Sequence, residues 1–392
     1  MLLALALAVA PPADWPQFLG PTRDGVTTEV VPAWTDTPAV AWRLPVGPGH
    51  SSPVVSGGVV YHFDQPKGKN ADRLMALELA TGKLRWETSY DRPEFKPPFG
   101  DGPRGTPSVV AGKVYTLGGT GVLACWDATT GAVVWQRDTL KDFKADNLVF
   151  GVSGSPLVSD GKVFVNVGGK GAGLVAFDAG TGNTVWQATD DGASYSSPIV
   201  AGKQVVFLTK QRLVAVDPAD GAVKWSYPFQ DAMSESATAP LAVGDTLIGS
   251  SVTLGSVALK PGDGAASRVW KNPQLNCYFS TPVAAGDDLY MLNGVLSISP
   301  SISLRCVEAA TGKVRWEKKG VGKFHAALVR DGAGNLLMFD DGGKLTLFAA
   351  DPAGYKELAA AKVCGPTWAH PAVAGGLVVV RDEKELLALK LK

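Results

Sequence analysis

The sequence predicts an all-β fold: an eight-bladed β-propeller of four-stranded antiparallel blades, closed by an N-terminal strand that completes the last blade. Three observations predict it. A unit of roughly 40 to 50 residues recurs along the chain, which is the range of a propeller blade. Within each unit, short apolar runs alternate with Gly turns, and no stretch has the periodicity of an amphipathic helix. The chain closes on a unit without its fourth strand and opens on a strand without a unit.

The first unit starts at Ser52-Pro53, runs through Leu74 to Leu79 and the Thr81-Gly82 turn, and reaches Trp86. Equivalent starts are Thr106-Pro107, Ser155-Pro156, Ser197-Pro198, Ala239-Pro240 and Thr281-Pro282. Strand A follows Pro, a Gly turn such as Asp160-Gly161 reverses the chain, and strand B follows, as in Val163 to Val167. Strand C alternates, as in Gly173 to Asp178, and leads to a second turn. There Gly accepts positive φ, and Asp127, Asp178 or Asp217 binds turn amides. Strand D carries a Trp.

That Trp series is Trp42, Trp86, Trp135, Trp186, Trp225, Trp270 and Trp316. A large apolar residue at a fixed place in every blade reads as packing between blades, with its indole N–H on backbone, and not as a cofactor cage. The seventh unit, from His325 to Val363, has lost its Trp. The eighth begins at His370-Pro371 and lacks strand D. Residues 40–46 supply the spare one, and pairing the two removes both open edges. Residues 39–392 are therefore expected to form one propeller, with 11–38 as an extension packed on it.

Composition narrows the function classes. Lys+Arg and Asp+Glu balance at 37 each, so no net field recruits nucleic acid or an anionic membrane. No segment is apolar enough to cross a bilayer as a helix. Residues 1–10, Met-Leu-Leu-Ala-Leu-Ala-Leu-Ala-Val-Ala, have the apolar core of a secretion signal but no basic residue before it. The expected location is periplasmic or secreted, with no lipobox cysteine after the run. Cys125, Cys277, Cys306 and Cys364 have neither redox nor zinc spacing, and Cys125 and Cys306 read as small buried hydrophobes.

The repeated Ser/Thr-Pro, Gly turn, Asp-x-x-Thr-Gly and Trp pattern resembles that of the PQQ-binding-like family, which includes quinoprotein dehydrogenases and BamB-like propellers. The resemblance covers residues 39 to 392. The segment Asp14-Trp15-Pro16-Gln17-Phe18-Leu19-Gly20-Pro21-Thr22-Arg23-Asp24-Gly25 is similar to a leader found in exported members. It implies a structural job, with Trp15 and Phe18 packed on the ring. The family's alcohol dehydrogenases carry adjacent cysteines beside PQQ, hold Ca²⁺ with acidic and amide groups, and use an Asp base. No residue here can be matched to those roles, so no catalytic and no metal-binding residue is assigned.

Strand A should line the central channel, so the residue three before each Pro, or before Ala327 which stands in its place in the seventh unit, should ring its mouth. That column is His50, Arg104, Ser153, Tyr195, Ala237, Phe279, Phe324 and Trp368. It either plugs the channel or forms a recognition surface, for which His50, Arg104, Tyr195, Phe279, Phe324 and Trp368 are the candidates. Long connections, 88–104 with Phe95 and Phe99, and 138–153 with Phe143, Asn147 and Phe150, emerge on the same face. A further insertion spans 294–303. Asp340-Asp341 could bind a cation but fits turn chemistry, and His62, His325 and His370 lack metal-ligand spacing.

Two functions follow. The first is an exported, monomeric, non-enzymatic scaffold that binds a protein, peptide or small ligand at the channel mouth. The alternative is a PQQ-dependent oxidoreductase of alcohols or sugars, with PQQ between Trp368 and Phe324, held by Arg104 and accompanied by calcium.

Overall fold

Each repeat folds because its two Gly turns fix hairpin registers while its apolar runs bury both faces of a sheet. In the computed structural model, which describes residues 14–294 and 300–391, this produces eight sheets. Blade 1 comprises Val54–Ser56, Val59–Asp64, Ala71–Glu78 and Leu84–Asp91, and blades 2 to 7 repeat the order. The apolar leader at 1–10 and residues 295–299 of the insertion lie outside the described residues.

Blade 8 is built from both ends of the chain. Val40–Pro45 pairs antiparallel with Glu385–Lys390, aligning Trp42 with Ala388 and Pro45 with Glu385. The ring therefore closes where the sequence requires it. Two details depart from the simple pattern. Blade 4 gains a fifth strand, because Gly264–Ala265 pairs in parallel with Trp225 and Ser226. A short helix, Thr139–Phe143, follows blade 2, capped by the Asp138 side chain on the Lys141 N–H and ended by Lys144 in a left-handed conformation.

The indoles join neighbouring blades. Trp42 donates to the Leu79 carbonyl (2.7 Å), Trp135 to Ala179 (3.0 Å), Trp270 to Ala309 (2.8 Å) and Trp316 to Asp351 (2.9 Å). Trp86 and Trp186 do the same with Ala128 and Pro218. Trp225 differs: beside the extra strand, it donates to Gln204 Oε1 instead (2.8 Å). In blade 7 the register puts Ala359 at the Trp position, and Trp34 from the N-terminal segment packs against the same apolar cluster.

The second turn's Gly lies flat against the indole of the preceding blade. Gly182 has φ +74°, and a Cβ there would sit 2.6 Å from Trp135 Cδ2. Gly161 has φ +71° and open space around its missing Cβ. Gly161→Ala is therefore expected to cost about 1 kcal/mol, the left-handed penalty alone. Gly182→Ala should cost about 3 kcal/mol, because overpacking is added. Urea unfolding of the two variants checks the difference.

Residues 14–31 cross the far face of the ring. Trp15 exchanges backbone bonds with Val55 of blade 1, and Val109 of blade 2 donates to the Pro16 carbonyl. Gly25 and Thr27 bond to Arg330 of blade 7, and the Glu29 carboxylate accepts from Gly375 and Gly376 of blade 8. Between these anchors, Arg23 enters the channel. Its guanidinium donates to the carbonyls of Pro198 (2.9 Å), Ser155 (3.4 Å) and Pro156, and to Ser108 Oγ (3.1 Å).

Candidate binding site at the channel mouth

The Ser/Thr before each Pro builds the ring that holds the mouth in shape. Each hydroxyl accepts from the equivalent backbone N–H of the preceding blade: Thr106 from Ser52 (3.3 Å), Ser155 from Thr106 (2.9 Å) and Ser197 from Ser155 (2.9 Å). Thr281 accepts from Ala239 (3.0 Å), and Ser52 from His370 (2.8 Å) across the closure. These bonds run between blades, so they fix the spacing of the residues just above them.

Those residues are the predicted column, and all eight converge on one cavity of about 350 Å³. Trp368 is the hub of its aromatic wall. Phe324 stacks on it at 6.0 Å between ring centroids, and Phe279 meets it edge-on at 5.3 Å. His50 and His325 also lie against it, at 6.2 and 6.1 Å. Across the mouth, Tyr195 packs on Phe150 (5.6 Å), which packs on Phe99 (5.9 Å). The column therefore lines a cavity.

Loop chemistry sets each of these positions. Arg104 donates to the carbonyls of Pro98 (3.1 Å), Gly100 (3.2 Å) and Gly102 (3.4 Å), folding residues 98–102 around its own guanidinium. His50 Nε2 is 3.0 Å from the Phe99 carbonyl. Asp341 accepts from the backbone N–H groups of Lys323 (2.9 Å), Phe324 (2.6 Å) and His325 (3.3 Å), so this carboxylate is a loop builder. Asp340 accepts from Gly342 and Lys344 in the same turn.

Burial governs the electrostatics. Desolvation, aided by the Arg104 charge, pushes His50 down to about 4. Burial alone pushes His325 to about 4, and burial with the neighbouring His325 pushes His370 to about 3. Ser280 Oγ gives its proton to the Ala326 carbonyl (2.5 Å), so at 3.2 Å it accepts from His325 Nδ1–H. His325 is thus a neutral imidazole with its proton on Nδ1. Arg104 is lowered to about 10, again by burial.

Several lining residues carry no mark in the column. Phe18 reaches the cavity from the N-terminal segment and packs edge-on against His370 at 5.1 Å. Glu235 and Tyr278 also line it, and the Tyr278 hydroxyl donates to the Glu235 carboxylate. They stand two and one residues before the column positions Ala237 and Phe279, so a wider column would have included them.

The residues do not fit the seat considered for PQQ. Trp368 and Phe324 already stack on each other at 6.0 Å, whereas a third ring between them needs about 7 Å, two van der Waals contacts. Arg104 spends both Nη2 hydrogens and one Nη1 hydrogen on carbonyls, which leaves a single Nη1 bond for one carboxylate and no two-pronged clamp, and Glu235 adds negative charge beside any polycarboxylate. Among the described residues, no group of three His, Cys, Asp or Glu side chains is placed to hold a metal ion.

A family model described as outer membrane protein assembly factor BamB matches residues 70–299. BamB of Shewanella oneidensis is 27% identical over 231 residues, covering 55% of this chain and 56% of that protein. The chain thus aligns with little more than half the length of this relative. The dehydrogenase subunit of a quinone alcohol dehydrogenase from Gluconobacter oxydans is 34% identical over 149 residues, 35% of this chain and 18% of that subunit. The crystal structure of BamB from Moraxella catarrhalis superposes with a TM-score of 0.62 at 16% identity, over 89% of this chain and 98% of that one. A europium-containing methanol dehydrogenase gives 0.70 at 14% identity, over 96% and 89%. At such identities the two structures speak for the fold alone.

Proposed function

The chain belongs to the family of the outer membrane protein assembly factor BamB, and from that premise we propose that it is an exported, non-enzymatic scaffold whose ligand seats in the cavity at the channel mouth. One observation carries this reading: eight residues from eight blades, far apart in sequence, meet around a single aromatic-walled cavity. Its volume is that of a small-ligand site, and its walls combine apolar faces with a few polar groups. A rigid ring beneath and adaptable loops above divide stability from recognition.

Ala237→Trp tests the proposal by filling the cavity from a half-buried position with no partner to lose. Indole, followed by saturation-transfer NMR, is the probe. Wild type is expected to show transfer, and Ala237→Trp to weaken binding at least about tenfold with the unfolding midpoint unchanged. Equal transfer to both proteins places the site elsewhere and overturns the reading. Reduction of a dye by the protein loaded with PQQ and calcium, on alcohols or sugars, overturns the non-enzymatic part.

A further inference from the structure

The cavity holds two opposite charges that no direct ion pair joins to another side chain of the described residues. Arg104 sits at the mouth on blade 2, and Glu235 on the loop entering blade 5. Among the described residues neither forms a direct ion pair: Arg104 donates to carbonyl oxygens, with Asp101 acting on it only from beyond contact, and Glu235 accepts from the Tyr278 hydroxyl. Tyr195 of blade 4 stands between them in the ring, and both charges act on its hydroxyl, in opposite directions. The mouth is thus dipolar, with aromatic rings lining the space between the poles. A desolvated charge without a counter-ion gains more from a ligand's charge than a hydrated one does.

The loops around these poles also present apolar side chains outward. Phe99 is 78% exposed, Val149 68% and Met233 47%, and they sit on the connections 92–107, 144–156 and 229–240. Phe99 adopts φ +63°, the left-handed region that side chains disfavour. Arg104 holds that loop by three carbonyls and His50 by the Phe99 carbonyl itself. The structure therefore spends backbone strain to display a phenyl ring to solvent. A small molecule confined to about 350 Å³ would leave Val149 and Met233, which do not line the cavity, in water. A polypeptide lying across the mouth would cover them.

We propose that the cavity takes an aromatic side chain from an extended segment of a partner protein, flanked by a basic residue that meets Glu235 and an acidic residue that meets Arg104. This rests on the scaffold reading above and names the ligand class of that same site. The aromatic residue is the anchor, buried among Phe279, Trp368 and Tyr195. The two charges fix the direction in which the segment crosses the mouth. Phe99, Val149 and Met233 supply the apolar rim that excludes water around it.

The test is selection of random seven-residue peptides displayed on phage against the full chain, followed by fluorescence anisotropy with the synthetic winners. Enriched sequences are expected to place Trp, Tyr or Phe between Lys or Arg on one side and Asp or Glu on the other, in one polarity. Glu235→Gln keeps an acceptor for Tyr278 and should weaken such a peptide about tenfold. The same variant should leave unchanged a peptide whose basic residue is replaced by Gln. Absence of enrichment, enrichment without an aromatic residue, or equal loss for both peptides overturns the proposal. If indole binds wild type while these peptide results fail, the cavity reading survives and the peptide inference alone falls; if indole also fails, both fall.

Discussion

Arg23→Ala is expected to lower the unfolding free energy by about 3 kcal/mol and to free residues 14–31 for proteolysis. The guanidinium is 2% exposed and spans the inner strands of blades 2, 3 and 4 through four acceptors, while its Nε–H bonds to Gln17 Oε1 (2.8 Å). Burial pushes it down to about 9, so the site charges for holding a cation there. The carbonyl and hydroxyl dipoles act the other way, and removing the side chain leaves them facing a void inside the channel. Orphaned acceptors and a cavity outweigh the recovered desolvation. Arg23→Lys keeps the charge but cannot reach three blades at once, and should fall between Ala and wild type. Because Phe18 belongs to the same segment, Arg23→Ala should also weaken indole binding at the mouth. Urea unfolding and limited trypsin digestion read both effects; an unchanged midpoint would mean that the segment's other anchors on blades 1, 2, 7 and 8 hold it without Arg23.

Much of this architecture is written in the repeat. The Trp positions mark strand D of blades 1 to 6, four of them behind a Thr-Gly turn, and the spare strand at 40–46 identifies the closure with 385–390. The mouth column could be read because strand A follows Pro in seven of the eight blades, so one register count, carried to the equivalent position in blade 7, finds eight neighbours in space. What escaped the sequence has a common cause. Arg23 and Phe18 sit in a turn-rich segment, and their partners come from inner strands at residues 108, 155 to 198 and 370. No local pattern encodes such a meeting. The hydroxyl of the Ser/Thr-Pro step was legible as a strand marker, but its purpose, a bond to the neighbouring blade, exists only once the ring is closed. The helix Thr139–Phe143 is too short to show a period, though Asp138 three residues before Lys141 is its capping signal. Trp34 packs on the same apolar cluster that holds Ala359, a contact from a distant segment that no repeat alignment would reveal.

Acid should unfold this protein well before its carboxylates are exhausted. All four histidines of the chain are held neutral by burial. His62, at 0% exposure beside Arg381, is pushed down to about 3, with His325 at about 4 and His370 at about 3. In the unfolded chain each titrates near 6.5, so the unfolded state binds protons first and stability falls as pH drops below 6.5. At pH 5 each of the three fully buried rings accounts for about 2 kcal/mol, about 6 kcal/mol together, with half-buried His50 left out of the sum because solvent screens it. Asp72 opposes them. Burial raises it to about 6 despite the opposing Arg92 charge and Tyr90 hydroxyl, so its ionisation costs stability above that pH, and protonation between 6 and 5 returns about 1 kcal/mol. The histidines win, and the net loss from pH 7 to pH 5 is expected to be about 5 kcal/mol. Urea midpoints measured across that range check it. His62→Gln, outside the cavity, should remove about one proton from the slope, whereas a flat profile would show that these rings are protonated in the folded state. The same physics reaches the site: His325 and His370 lie 5.2 Å apart, so both cannot carry charge while Phe18 and Trp368 remain packed around them. Ligand binding at the mouth should therefore be lost with the fold, over the same pH interval and with the same midpoint.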